Sequence, residues 1–315
     1  MSQTIFITGG SGYIGSVIIE QAIAQGYTVK SLSRSEASDE KLRKLGATPV
    51  RGDLTTLDVL TKEASEADIV ISMADSIAGA NYQISPEERT RINHAGFDAL
   101  AKGLEGTGKP LIQTSGTFVL AADPNGNEVD ESSPGWEVNP FGMNGEGHCM
   151  SWNDKGVKVM SVRLAPYVYG RGGSGVKLFM AGAAQAGELV YVDEGKARVT
   201  TVHVDDAARL YLLVAQKGKA GEAYNAAYET HVTNRERTEA MGKTLGVPVR
   251  AQSYEETEKK MGRFFAQFLS LENRASGAKA KRELGWEIKA DKGILDEIAT
   301  GSYVQLAEEL KKGMA

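Results

Sequence analysis

The sequence predicts an α/β protein: a doubly wound parallel sheet with a smaller, mainly helical C-terminal region. Three observations predict it. Short apolar strands alternate with helical stretches through the first half. A glycine-rich turn joins the first strand to the first helix. The last third reads as one helix after another. Strand–helix alternation favours a parallel sheet with right-handed crossovers.

The first strand, Thr4–Thr8, runs into Gly9-Gly10-Ser11-Gly12-Tyr13-Ile14-Gly15. A helix with a buried face follows, carried by Val17, Ile18, Ile19, Ala22 and Ile23. Such a turn presents backbone N–H groups and a helix N-terminus to a pyrophosphate. Gly9 allows the tight turn, Gly12 the close approach of the phosphates, and Gly15 the packing of helix on sheet. A Gly-x-x-Gly-x-x-Gly run alone also suits an ordinary turn. The strand before it and the helix after it make dinucleotide binding the expectation.

Further strands are expected at Thr28–Ser33, Thr48–Arg51, Asp68–Met73, Pro110–Thr114 and Val157–Leu164. Near-continuous apolar runs mark strands covered on both faces. Helices are expected at 55–66 and 86–104. Segment 121–147 is rich in proline and glycine and reads as a long loop, either functional or a surface excursion. Gly170–Gly175 is a second irregular stretch. Residues 201–226 read as strand, helix, strand. Thr233 with Glu236 forms a capping-box pattern opening a helix to about Leu245. Helices are expected near 253–268, 273–284 and 291–311. The expected division is a Rossmann-type domain of 1–168 and 200–230, interleaved with a substrate-side region of 169–199 and 231–315.

Composition narrows the function. The 315 residues carry 36 basic and 41 acidic side chains, a formal net charge of −5, with no basic block. Nucleic acid is therefore not the expected partner. No apolar run reaches the roughly 18 residues of a membrane span. The chain enters a strand at once, so no signal peptide is expected. One cysteine, Cys149, and four histidines give neither a disulfide framework nor a metal-ligand spacing. The expected setting is the cytoplasm, with no metal.

These residues together resemble the extended short-chain dehydrogenase/reductase superfamily, the NAD(P)-dependent epimerase/dehydratase group. The resemblance spans nearly the whole chain. It rests on Thr8–Gly15, on Arg51-Gly52-Asp53-Leu54, and on Arg163-Leu164-Ala165-Pro166-Tyr167-Val168-Tyr169-Gly170. Val202-His203-Val204-Asp205-Asp206 and Lys281-Arg282-Glu283-Leu284-Gly285-Trp286 complete it. The resemblance implies cofactor contacts from Gly9, Ser11, Gly12, Tyr13, Ile14, Asp53, Leu54, Met73, Ala74, Asp75, Thr114 and Pro166. Asp53 would accept from the adenine amino group, and as an aspartate before a helix it also suits an N-cap. NAD binders place a carboxylate after the second strand. Here that strand ends Ser33-Arg34-Ser35. Arg34 offers a cation suited to a 2′-phosphate, with Ser33 and Ser35 as hydroxyl donors, so NADP(H) is favoured over NAD(H). A merely solvated Arg34 is the alternative.

The family's catalytic Tyr-x-x-x-Lys is missing. The matching register puts Phe141 at the tyrosine and Gly145 at the lysine, and neither can move a proton. The Ser/Thr position falls on Gly116, flanked by Ser115 and Thr117. Other proton donors considered are Tyr167, which also suits aromatic packing, and His148, which also suits a polar surface. Ser115, Thr117 and Tyr167 are the catalytic candidates. His203 reads as structural. Trp136, Phe141, Trp152 and Phe179 are candidates for lining an apolar pocket. The second half shows no clear diphosphate-clamping arginine set, although Lys177, Arg198 and Arg263 could contribute to one, and this disfavours a sugar nucleotide.

The expected function is NADP(H)-dependent reduction of a carbonyl or alkene in a small apolar or aromatic substrate. A redox-neutral isomerase, cyclase or epimerase, or a dinucleotide sensor, are the alternatives. Relatives often dimerise through two helices, the second of which carries Gly142, Gly145 and Gly147 here. Each glycine costs a helix about 1 kcal/mol relative to alanine, so monomer and homodimer both stay open.

Overall fold

The computed structural model describes residues 2–79, 84–141 and 145–313. In chain order the elements begin β1 (Thr4–Thr8), α1 (Tyr13–Ala24), β2 (Thr28–Ser33), α2 (Glu36–Lys44) and β3 (Thr48–Arg51). α3 (Leu57–Glu66), β4 (Ile69–Ser72), α4 (Ser76–Gly79), α5 (Pro86–Gly103) and β5 (Pro110–Gly116) follow. Next come α6 (Gly145–Met150), β6 (Lys158–Leu164), β7 (Tyr167–Tyr169), α7 (Ser174–Ala186), β8 (Leu189–Val192) and β9 (Thr201–His203). α8 (Val204–Lys217), β10 (Ala223–Ala226), α9 (Asn234–Leu245) and β11 (Val249–Gln252) precede α10 (Tyr254–Met261), α11 (Arg263–Ser270), α12 (Ala278–Leu284), α13 (Ile294–Thr300) and α14 (Ser302–Lys312).

The chain forms two compact units. The first comprises Met1–Ser115, Gly142–Arg163 and Ala208–Tyr224, and the second Gly116–Phe141, Leu164–Ala207 and Asn225–Ala315. Compared with the division read from sequence, 116–141, 164–168, 200–207 and 225–230 fall in the second unit. The reason is tertiary: Thr117 bonds Asn273 and the Tyr167 ring packs on Phe268.

A seven-stranded sheet in the order β10-β6-β5-β4-β1-β2-β3 organises the first unit. β1 pairs in parallel with β2 and with β4, in the register Ile5↔Val29 and Ile5↔Ile69. From β1 the chain winds outward to β3, then returns to β4 and winds the other way. The reversal lies between β1 and β4, and doubly wound sheets open a ligand crevice at the carboxyl ends of such strands. Ile5, Phe6, Ile7, Val70 and Ile71 are buried, as the apolar runs require. α3 and α5 cover a core of Leu60, Ala64, Phe97 and Leu100, which Trp152 joins.

Two short parallel pairs, β8 with β11 and β7 with β9, lie in the second unit. The strand at 201–203 thus pairs with β7 rather than entering the large sheet. Helices α7, α9, α13 and α14 enclose its core, which includes Tyr167, Met180, Met241, Ile298 and Tyr303. The capping box at Thr233 and Glu236 forms as expected. The helix expected at 253–268 is broken at Gly262, whose φ is +86°. The one expected at 291–311 is broken at Gly301, and 273–284 is helical only from Ala278. Two of the resembling motifs meet here: Trp286 Nε1 donates to the Asp206 carbonyl (2.9 Å), and the Asp206 carboxylate accepts from the Lys289 and Ala290 amides. Gly142, invoked above for helix interruption, lies outside the described residues.

Candidate active site

In the first unit, Gly9 leaves β1 at φ +78°, and a Cβ there would stand 3.1 Å from the Ala74 nitrogen. Gly12 N donates to Gly9 O at 3.0 Å, closing the turn. A Cβ on Gly12 would meet only Gly9 O within 4 Å among the described residues, so this side of the turn is open. A Cβ on Gly15 would collide with the Gly9 carbonyl and stand 2.8 Å from Gly10 Cα, so Gly15 serves packing.

Gly12 caps α1 without a side chain, and the first turn holds no acidic residue. By contrast Ser35, Ser85, Thr233 and Ser253 cap their helices with their own hydroxyls. A helix start of this kind suits an external anion. Lys41 Nζ reaches Ser11 O at 2.6 Å and brings a positive charge to the turn. Sequence reasoning missed Lys41, because a contact across 30 residues leaves no local pattern. These features fit a dinucleotide pyrophosphate lying over Ser11, Gly12, Tyr13 and Ile14.

Thr8 Oγ1 accepts from the Met73 and Ala74 amides, both at 3.1 Å, and so ties the end of β4 to the turn. The Asp75 carboxylate accepts from Arg89 Nη2 (2.6 Å) and Nε (2.9 Å), and from the Ile77 amide. Burial raises its pKa, but the Arg89 hydrogen bond and charge outweigh that and leave it lowered. Asp75 therefore positions the loop after β4. Arg89, which sequence reasoning did not single out, is what holds it.

At the end of β2, Arg34 is exposed and has no hydrogen-bond or ion-pair partner among the described residues. Ser33 is buried and donates to the Ser35 carbonyl (3.3 Å), and the Ser35 hydroxyl caps α2. Asp53 does not cap α3; that place belongs to Thr56. Asp53 Oδ1 instead accepts from the amide and hydroxyl of Thr55, and these bonds lower its pKa, with Arg34 adding a smaller share. The Thr56 amide adds a weaker bond to the same carboxylate. Leu54 is buried against Gly96.

Around Gly145 the structure is specific. Gly145 opens α6, and a Cβ there would stand 3.3 Å from His94 Nε2. His94 stacks on His148 with centroids 4.0 Å apart, and His148 Nε2 lies 2.8 Å from Asp98 Oδ1. Burial, and then His148, lower the His94 pKa. An imidazole pair thus borders Gly145, which the sequence register sets at the lysine of the Tyr-x-x-x-Lys pattern. His94 had no motif to mark it; only the packing of α5 on α6 brings it there. Glu146 pairs with Arg163 at 2.5 Å and accepts from Ser161 (3.1 Å), which assigns the motif arginine a structural task. Thr114 shares a 2.9 Å hydrogen bond with Tyr211. The hydroxyl of Ser115, at the end of β5, has no partner among the described residues.

In the second unit, Thr117 is fully buried and donates to Asn273 Oδ1 (2.8 Å), while Asn273 Nδ2 donates to the Thr117 carbonyl. That hydroxyl is committed to the fold. Tyr167 is also fully buried, and burial pushes its pKa up to about 12. Pro166 is half-buried between β6 and β7. The Phe141 ring packs on Phe118 (4.9 Å) and Phe264 (5.4 Å). Trp136 Nε1 donates to the Phe118 carbonyl, and Phe179 neighbours Tyr167 and Phe265. Trp152 does not join them: it lies in the first unit's core and donates to Asp98. Arg198 is paired with Glu272 at 2.6 Å, and His203 packs edge-on against Tyr169.

The sequence profile of the NAD dependent epimerase/dehydratase family matches residues 5–227, from β1 past β10. The chain belongs to that family. This epimerase/dehydratase-family protein is 33% identical over 301 residues to an uncharacterized protein of Schizosaccharomyces pombe, covering 95% of this chain and 99% of that one. It is 28% identical over 226 residues to a 4-hydroxy-2-methyl-3-oxo-4-farnesyl-3,4-dihydroquinoline-1-oxide ketoreductase of Stigmatella aurantiaca, covering 70% of this chain and 66% of the relative. The dTDP-glucose 4,6-dehydratase DesIV of Streptomyces venezuelae shares the fold, with a TM-score of 0.76 at 23% identity over 98% of both chains. The family member described here is an NAD(P)-dependent oxidoreductase-type enzyme. Among its described residues no helix is long and apolar enough to cross a membrane, and no cluster of side chains could hold a metal ion.

Proposed function

We propose that this enzyme is an NADP(H)-dependent reductase of a carbonyl or alkene in a small molecule with an apolar or aromatic body. The observation that carries the cofactor choice is Arg34: exposed, unpartnered among the described residues, and set where NAD binders carry a carboxylate. Arg34 would hold the 2′-phosphate, Asp53 the adenine amino group, and the turn at Ser11–Ile14 the pyrophosphate. Ser33 and Ser35 would add hydroxyls only at the cost of their present bonds, which leaves Arg34 the principal contact.

The bound dinucleotide supplies the hydride. The residues have other tasks. Ser115, with no internal partner, would hold the substrate oxygen. His148, on the Asp98 carboxylate and stacked on His94, would supply the proton beside Gly145. Thr117 positions Asn273, and Tyr167 serves binding rather than proton transfer. The ketoreductase likeness supports a reductase, and the pairing of Arg198 with Glu272 argues against a diphosphate clamp.

The test is calorimetric titration with NADPH and NADH, followed by a carbonyl panel read at the nicotinamide absorbance. NADPH preference with consumption on a panel member is expected. Equal affinities would overturn the cofactor assignment. Tight binding without consumption would overturn the reductase and point to redox-neutral chemistry.

A further inference from the structure

Within the second unit, Arg237 on α9 is fully buried. Its Nη2 donates to Asn234 Oδ1 at 2.5 Å, one helical turn back. Its Nε and Nη1 have no hydrogen-bond partner among the described residues. The guanidinium carbon stands 3.6 Å from the centroid of the Tyr167 ring, and the Tyr167 hydroxyl is likewise buried and unpartnered. Other arginines of this unit meet carboxylates: Arg198 has Glu272, Arg171 has Asp205 and Arg250 has Glu188. Arg237 has none.

A buried guanidinium is ordinarily paired, because desolvating the charge is costly. Stacking on a tyrosine face recovers part of that cost and supplies no acceptor. Fully buried donors without acceptors mark a place for an anionic oxygen. The surroundings say what the rest of the ligand is. Tyr167 neighbours Phe268 (5.3 Å), and Phe268 lies nearly parallel to Phe264 (6.2 Å, 13°), which is 41% exposed. Aromatic rings therefore run from the surface at α11 to the Arg237–Tyr167 stack. Gly262, in the left-handed region, precedes that helix.

We propose that Arg237 and Tyr167 form the anion-recognising end of a site for a small apolar or aromatic carboxylic acid, with the carboxylate accepting from the Arg237 guanidinium and the Tyr167 hydroxyl. This deepens the reading of a small apolar substrate and rests on it. The binding test is independent of turnover.

Full-length protein is titrated by calorimetry with 3-phenylpropionate and with its neutral amide. The acid is expected to bind at least about tenfold tighter than the amide. That preference disappears in Arg237→Met, and the Tm of this variant equals or exceeds the wild type, since an apolar side chain of similar length removes a buried charge. Equal affinities for acid and amide, absence of acid binding, or a preference that survives Arg237→Met each overturn the proposal. Should Arg237→Met fail to fold, the wild-type acid-to-amide ratio still decides, and Tyr167→Phe is expected to lower it about threefold or more. NADPH titration on the same samples separates the two readings: lost cofactor binding with intact acid preference sinks the reductase and leaves this site standing.

Discussion

Replacing Arg34 by alanine tests the cofactor assignment at one side chain. A hydrogen bond to a charged group contributes about 1.5–3 kcal/mol. Arg34 is exposed and loses side-chain freedom of up to about 2 kcal/mol when it is fixed, and salt weakens an exposed contact further. Asp53 lies close enough to feel its charge and competes for it. The net loss for NADPH therefore belongs near the lower end, about 1–2 kcal/mol, or roughly 5- to 30-fold in Kd. NADH has no 2′-phosphate and should change less than about twofold. Calorimetry of both cofactors at two salt concentrations reads this directly, and the NADPH loss should shrink at high salt. A parallel loss for NADPH and NADH would refute the argument, because it would place Arg34 at a part common to both. Ser35→Ala is the control: it removes the α2 cap, costs about 1 kcal/mol of stability, and should leave the cofactor ratio nearly unchanged.

Gly9→Ala forces a side chain into the left-handed region against the Ala74 backbone, at about 1–2 kcal/mol for the conformation alone. Both cofactors should weaken together, and an unchanged NADPH titration would deny the turn its part. Thr117→Val leaves Asn273 Oδ1 without its buried donor and should cost about 1–3 kcal/mol in urea unfolding; a stable variant with abolished turnover would instead restore Thr117 as a catalytic group. The His94 pKa is lowered in the fold from its ordinary 6.5, so between those two values the unfolded chain binds more protons. Stability then rises with pH through that window and levels off above about 6.5. Acidification from about pH 7 should lower the wild-type Tm more than that of His94→Gln, and parallel Tm profiles would show that the imidazole is not desolvated.

How far the sequence reaches differs between the turn and the chemistry. The strands β1, β2 and β3 and the glycine turn were legible to the residue, because apolar runs and glycine spacing are local properties of the chain. The capping box at Thr233 was legible for the same reason. The breaks at Gly262 and Gly301 were not, since an isolated glycine inside a helical pattern is tolerated or not according to its packing. Segment 201–203 was read correctly as a strand, but its partner β7 is a tertiary choice.

The chemistry follows the same line. The sequence by itself determined the doubly wound sheet, the glycine turn, Arg34 rather than a carboxylate directly after β2, and the residue types Phe141 and Gly145 where the resemblance leads one to expect tyrosine and lysine. Each is a matter of residue type at a fixed spacing. Only the tertiary structure decided that Thr117 gives its hydroxyl to Asn273, that Asp75 belongs to Arg89, and that Trp152 lies in the first unit's core. It alone brought His94 onto His148, and left Arg237 buried against Tyr167 without a carboxylate. These hydrogen-bond partners join segments 14 to 156 residues apart, and in Asn234-Arg235-Glu236-Arg237 nothing local distinguishes the arginine that faces solvent from the one that the fold encloses.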